Sequence, residues 1–254
     1  MDLENAVALV TGGGSGMGKE TATMLAKRGA RIALLDLDEA AAKAVAEELG
    51  GLAIACDVSN ADSAAAAVER VDQQLGGPRV LVNCAGIGIA ARIMGRDGPH
   101  SLELFEKVLK VNLIGTFNLL RLIAPCMSKL SPLTDSGSRG VIVNTASVAA
   151  YEGQIGQAAY SASKGGVVAL TLPAAREMAK VGVRVMTIAP GLIDTPMMGS
   201  LPEDIQAALA AQVPFPSRLG QPAEFAALVE HIIDNEMLNG EVIRLDGAIR
   251  MQPR

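Results

Sequence analysis

The chain has 254 residues, half of them apolar, no tryptophan, and a net charge of −5 spread without long single-sign runs. That length suits a single α/β domain, and that charge argues against a general nucleic-acid surface. Three cysteines (Cys56, Cys84, Cys126) without metal-ligand spacing, and no apolar run near 18 residues, give a reduced chain with no expected metal site or membrane span.

The start, Met1 to Asn5, is short and acidic and reads as neither signal nor transit peptide. Ala6 to Val10 is an apolar strand running into Thr11-Gly12-Gly13-Gly14-Ser15-Gly16-Met17-Gly18, with a helical pattern from Lys19 to Arg28. Strand, glycine loop and helix are the layout that receives a pyrophosphate at a helix N-terminus. The glycines fit T-G-x-x-x-G-x-G, through Gly12, Gly16 and Gly18, and do not fit G-x-G-x-x-G. Arg31 to Leu35 is the second strand, and Asp36 at its end suits a carboxylate on the adenosine ribose hydroxyls. The next residue is Leu37, so no cation awaits a 2′-phosphate, and Asp38 is the better cap for a helix over Glu39 to Leu49.

Leu52 to Cys56 is a third strand ending at Asp57-Val58, and Ala61 to Leu75 is a helix. Val80 to Asn83 is a buried strand entering the small-residue turn Cys84-Ala85-Gly86, which lets a flat ligand approach the backbone. The segment from Ile87 to His100 is irregular and carries Arg92 and Arg96. A helix is expected from Leu102 to Met127, and Asn112 inside it needs a hydrogen-bonding task. Lys129 to Arg139 is a loop, and Gly140 to Ala146 is the fifth strand, with Ser147 at its end.

Tyr160 and Lys164 lie four residues apart on a helix expected to begin near Gln154, which places both on one face. A phenol ionises near pH 10, and lowering that to about 7 takes ~4 kcal/mol. One ammonium at ~4 Å and an effective dielectric of ~20 supplies about that much. The smooth Ala/Ser/Gly face through Gly166 permits close approach within the domain or to a second subunit, and Pro173 should kink or restart the helix. A sixth strand runs from Val181 to Ala189. Residues 196 to 218 hold four prolines and the pair Met197-Met198, a composition for a mobile apolar lid. Pro222 to Ile233 is a last helix and Glu241 to Asp246 a last strand. His100 and His231 have no catalytic context. The alternation gives one doubly wound parallel sheet of about seven strands, helices on both faces, in a single domain over 1–254. The candidate residues fall at strand C-termini, where open α/β sheets bind ligands.

Thr11-Gly12-x-x-x-Gly16-x-Gly18, Asp57-Val58, Asn83-Cys84-Ala85-Gly86, Asn112, Ser147, Tyr160-x-x-x-Lys164 and Pro190-Gly191 together resemble the short-chain dehydrogenase/reductase family, over essentially the whole chain. The family commonly has Asn where this chain has Cys84. The resemblance implies a Rossmann-type fold, NAD as cofactor, and a homotetramer. It places the pyrophosphate over Ser15, Gly16 and Met17, the adenosine ribose on Asp36, and the adenine between Asp57 and Val58. Cys84 and Gly86 would line the path to the nicotinamide, with Ile193 and Thr195 on its carboxamide. Tyr160 would be the base, Lys164 would lower its pKa and bind the nicotinamide ribose, Ser147 would bond the substrate oxygen, and Asn112 would anchor a water. Gln154 is a candidate substrate contact.

Longer strings (Asn144 to Ala150, Gly156 to Gly166, Val213 to Gly220, Leu238 to Gln252) resemble the branch acting on 3-hydroxyacyl-CoA thioesters. The implied reaction is NAD-dependent oxidation to the 3-oxoacyl-CoA, in a cytoplasm. One or both of Arg92 and Arg96 would then meet the coenzyme A phosphates. Alternatives are a hydroxysteroid or other secondary-alcohol dehydrogenase, an NADP-dependent 3-oxoacyl-carrier-protein reductase, and an NAD-binding scaffold subunit.

Overall fold

Every predicted apolar run forms a strand: β1 (Val7–Thr11), β2 (Arg31–Asp36), β3 (Leu52–Ala55), β4 (Val80–Asn83), β5 (Gly140–Thr145), β6 (Val183–Pro190) and β7 (Val242–Leu245). The computed structural model describes residues 1–96, 98–199 and 202–253. Asp97, Ser200, Leu201 and Arg254, and the side chain of Met197, fall outside that description, and with them parts of the expected loop at 87–100 and lid at 196–218. The strands pair in parallel in the order β3-β2-β1-β4-β5-β6-β7.

A parallel sheet is covered on both faces, so its strands are apolar throughout. Alternate residues serve opposite layers. Leu9, Leu35, Leu81, Ile142 and Val185 pack into one core, and Val10, Leu34, Val82, Val143 and Ile188 into the other. The helices are α1 (Gly16–Lys27), α2 (Glu39–Leu49), α3 (Ala61–Leu75), α4 (Leu102–Leu109), α5 (Gly115–Ser128), α6 (Ala158–Met178), α7 (Pro196–Gly199), α8 (Glu203–Ala210) and α9 (Pro222–Asp234). α1, α2 and α9 cover one face, and α3, α5 and part of α6 the other. Phe225 of α9 is fully buried; truncating such a ring to alanine typically costs about 3–5 kcal/mol. The chain leaves β1 toward β2 on one side and returns to β4 on the other, so the switch point lies between the C-terminal ends of β1 and β4.

Asp38 caps α2, its carboxylate accepting from the Ala41 N–H at 3.0 Å. Four differences from the sequence reading have physical causes. The helix expected from Leu102 to Met127 is interrupted by a π-helical segment, Lys110–Ile114. α6 begins at Ala158, not near Gln154, because Gln157 Oε1 takes the Gln154 N–H at 3.0 Å and Gly156 turns the chain at φ +93°. Pro173 does not break α6. The carbonyl it leaves without an N–H partner belongs to Ala169, which is exposed and can be hydrated. The helical stretch Leu102–Ser128 is long and apolar enough to cross a membrane by length and composition. Ten of its residues are buried in the domain, and its Asn112, Thr116 and Asn118 side chains are hydrogen-bonded there, as in a core helix.

Candidate active site

The glycine loop leaves β1 at the switch point. Gly12 has φ +64°, and a Cβ there would stand 2.9 Å from the Ala85 nitrogen of the turn after β4. A Cβ on Gly18 would collide with the Gly12 carbonyl, so α1 can begin this close to the loop only with glycine there. The Thr11 hydroxyl accepts from the Cys84 and Ala85 N–H groups, both at 3.1 Å, and locks the two turns together. At the start of α1, Ser15 is in extended conformation with its hydroxyl uncommitted to capping, and no acidic residue stands in the first turn. Open N–H groups and a positive helix end form an anion cradle. Gly16, at φ +50°, faces Thr195, whose Cβ would be 3.4 Å from a Cβ built on it.

Asp36 shapes this loop as well as facing it. One carboxylate oxygen accepts from the Gly14 N–H at 2.9 Å and the other from the Asp38 N–H at 3.0 Å. Asp57, after β3, accepts from the Ser59 N–H at 2.9 Å and hydroxyl at 2.7 Å. Val58 is buried, and its carbonyl takes the Asn118 amide at 3.0 Å. Ile193 is buried and paired with Gly220 in an isolated bridge. Gly86 sits under two of the predicted site residues: a Cβ there would be 3.2 Å from Asn112 Oδ1 and 3.5 Å from Lys164 Nζ.

The π segment carries Asn112, which is fully buried. Its Oδ1 accepts from the Ile87 N–H at 2.8 Å, while Nδ2 donates to the Ile87 carbonyl at 2.9 Å and to Ser163 Oγ at 3.0 Å. Both amide N–H groups are thus spent on protein, so a water anchored by this side chain would have to use the remaining lone pair of Oδ1. Ser163, one residue before Lys164, passes the connection on by donating to the Tyr160 carbonyl at 2.7 Å.

Lys164 is 4% exposed and donates from Nζ to the Thr145 carbonyl at 2.7 Å. Its Nζ lies 5.8 Å from the Tyr160 ring centre. Burial lowers the Lys164 pKa to about 8, and burial raises that of Tyr160, with the Ser147 hydroxyl pulling the phenol back down. Ser147 is buried at the end of β5, its Oγ accepting from the Ala149 N–H at 3.1 Å. Cys84 adds no second reactive group, because burial pushes its thiol up to about 12. The site therefore gathers a phenol, a hydroxyl and an ammonium around the strand ends β4 and β5. Such a set can move a proton to or from an alcohol.

Beside it runs a groove of about 620 Å³. One wall is Arg92, Ile93 and Met94; the other is the turn bearing Gln154 and Ile155. Ala91 N–H donates to the Gly156 carbonyl at 2.8 Å and joins the walls. The lining reaches Ala149 and Ser161, next to Ser147 and Tyr160 in structure and sequence respectively. Within the segment expected to be irregular, an antiparallel bridge joins Met94 and Pro99. Arg96 is exposed but does not line the groove. In the expected lid, α7 and α8 are formed, and Val213 is the one buried residue among those from 202 to 218. Sequence reasoning passed over Ser163 and the Thr145 carbonyl. Ser163 stood inside the Tyr160–Lys164 interval, and a serine on the buried side of a catalytic helix is the signal that marks it.

The family model described as short chain dehydrogenase matches residues 6–206. The chain is 54% identical to 3-hydroxyacyl-CoA dehydrogenase type-2 of Bos taurus, over 99% of this chain and 97% of that protein. It is 53% identical to the protein of the same name from Homo sapiens, with the same coverage. Its fold superposes on the crystal structure of 3-hydroxyacyl-CoA dehydrogenase type-2 from Mycobacterium avium with a TM-score of 0.94, at 44% identity, covering 99% of this chain and 98% of that one.

Proposed function

This chain belongs to the short-chain dehydrogenase family, and on that premise we propose that it oxidises 3-hydroxyacyl-CoA thioesters to 3-oxoacyl-CoA, reversibly, with NAD as the hydride acceptor. Membership makes it an oxidoreductase that uses a nicotinamide cofactor. The glycine cradle, in which added side chains would collide, fits a dinucleotide pyrophosphate. Gly12, Ser15, Gly16, Met17 and Gly18 would hold that group, Asp36 the adenosine ribose, and Asp57 with Val58 the adenine. Cys84, Gly86, Ile193 and Thr195 would border the nicotinamide, and Lys164 its ribose. When bound, the oxidised nicotinamide supplies the hydride acceptor and a positive charge.

The rest is done by this chain's side chains. Ser147 donates to the substrate oxygen and fixes it beside Tyr160. Tyr160, as phenolate, takes the hydroxyl proton. Lys164, its Nζ 5.8 Å from the ring centre, favours that phenolate by its positive charge. Burial opposes this by raising the phenol's pKa; in the free site the Ser147 hydroxyl bonds the phenol and lowers it, before that one O–H turns to the substrate.

The observation that carries the substrate reading is the groove. It starts next to Ser147 and Tyr160, has apolar walls for an acyl and pantetheine chain, and has Arg92 along one side for a phosphate. The segment at 196–218 would close over the acyl chain. The apolar Ile93, Met94 and Ile155 suit a steroid or branched secondary alcohol equally, and that is the second reading. A homotetramer in the cytoplasm completes the proposal. Exposed Ile114, Phe117 and Leu172, and open space over Gly165, support self-association, whereas Gly166 packs on Leu113 inside the domain. The test is turnover with NAD and NADP against acetoacetyl-CoA, a hydroxysteroid and a carrier-protein thioester. The proposal expects the CoA thioester with the NAD couple to be best by orders of magnitude in kcat/KM; preference for the carrier-protein thioester with NADP would overturn it.

A further inference from the structure

The groove wall that carries Gln154 and Ile155 is a turn, and turns need something to hold them. Three contacts do so from the far end of the chain. Arg244, on β7, makes a bidentate ion pair with Glu152 at 2.7 and 2.9 Å. The same guanidinium donates to Asp246 at 2.7 Å and to the Ile249 carbonyl at 3.0 Å, and lies 5.3 Å from the Tyr151 ring centre. The segment after it is bonded directly to the wall. Gln252 carbonyl accepts from the Gln154 side-chain amide at 3.0 Å, and Pro253 carbonyl from the Ile155 N–H at 3.0 Å.

The Arg244 and Glu152 side chains are only 22% and 23% exposed, and four residues converge on one guanidinium. A partly buried bidentate pair with a planar fork fixes orientation as well as distance. None of these groups is among the residues placed at the hydride-transfer centre. Arg250 adds a looser contact to Glu152 at 3.4 Å and is largely exposed, so Arg244 is the hub.

We propose that Arg244 is a positioning residue for substrate: through Glu152 and the 246–253 segment it sets the position of the 151–157 wall, and so the fit of the groove to the thioester. This rests on the reading that the groove receives the acyl-CoA. The wall is joined to the rest of the site by Gly156 on Ala91 and by Gly153, where an added side chain would meet the Ser161 hydroxyl. Lys164 is tethered to the Thr145 carbonyl and the glycine loop to the turn after β4, so a displaced wall changes the groove's width before it reaches them.

The test uses the full chain with its cofactor. Glu152→Gln and Arg244→Gln are made singly and together, with Arg244→Lys as the conservative variant. Kinetics are measured with acetoacetyl-CoA and with a short secondary alcohol, beside NAD affinity and amide hydrogen exchange of residues 151–157. Each single variant should raise KM for the thioester about tenfold, and the double variant no further, because either change breaks the same pair. The kcat, the kinetics on the short alcohol and the affinity for NAD should stay within about twofold. Exchange in 151–157 should quicken, and Arg244→Lys should recover part of both effects. An unchanged thioester KM with faster exchange would make the pair merely structural, and unchanged exchange would overturn the proposal outright. If the parent enzyme ignores CoA thioesters, the substrate reading fails by itself. Exchange, and KM for whichever large alcohol it does accept, then decide the role of Arg244.

Discussion

The Lys164 ammonium nitrogen lies 5.8 Å from the centre of the Tyr160 ring, while its short bond, 2.7 Å, goes to the Thr145 carbonyl. The lysine is therefore tethered to the end of β5, and the tyrosine is presented to it from α6. Thr145 and Ser147 leave the same strand end, so one backbone segment places both the cation and the substrate's hydrogen-bond donor.

Tyr160→Phe should abolish turnover and leave NAD affinity within a few-fold, because the phenol oxygen acts on the substrate while the glycine loop and Lys164 hold the cofactor. Steady-state kinetics with a parallel cofactor titration decides this. Substantial retained activity would remove Tyr160 as the base.

Lys164 makes stability depend on pH. Its folded pKa, about 8, lies below its ordinary 10.5 because of burial. Between those values the unfolded chain binds more protons than the folded one, so stability rises with pH. The burial penalty is fully present below about pH 8 and fades toward 10.5. From pH 7 to 9.5 the cofactor-free parent should gain about 2 kcal/mol relative to Lys164→Met. Urea unfolding at both pH values measures that difference of differences. Parallel pH profiles for the two proteins would show the lysine to be unshifted.

Asp36→Ala should narrow the preference for NAD over NADP, since a carboxylate facing a 2′-phosphate is a like-charge clash. The substitution also removes the acceptor of the Gly14 N–H. NAD affinity should therefore fall several-fold rather than stay constant, a lost hydrogen bond being worth about 1 kcal/mol. The kcat/KM values for both cofactors check this, and equal use of NADP by the parent enzyme would sink the assignment.

Arg92→Ala should raise KM for acetoacetyl-CoA several-fold at low salt and leave a short alcohol untouched. Arg96→Ala should do less, because only Arg92 lines the groove. The Arg92 effect should shrink as salt rises, as a screened charge contact does. Equal kinetics on both substrates would return both arginines to plain solvent.

The sheet was legible because seven apolar runs of strand length alternate with helical patterns, and the observed strands lie within a few residues of each run. The site was legible where identity alone carries chemistry: the glycines that collide if substituted, Asp36 at a strand end, and Tyr160 a turn from Lys164. Contacts between distant segments were not. Nothing in the local sequence of Arg244 names Glu152, 92 residues away, and nothing near Asp36 names Gly14. Asn112 was recognised as needing partners, but Ile87 and Ser163 emerge only once the π segment, the β4 turn and α6 are brought together. Pro173 does not restart α6, because the cost of a proline depends on whether the freed carbonyl meets water, which burial decides and sequence does not display.

The five residues Lys110–Ile114 also act as a change of phase. A π turn accommodates an extra residue, and each α-helical residue advances about 100° around the axis. α5 is thereby rotated relative to α4, so that one continuous rod shows one side to α6 before the break and another to the sheet and α3 after it. Removing a single residue from that stretch would rewind the rod and swing Asn112 off Ile87. A length change tolerable in the mostly exposed 131–136 stretch would here misalign a whole layer.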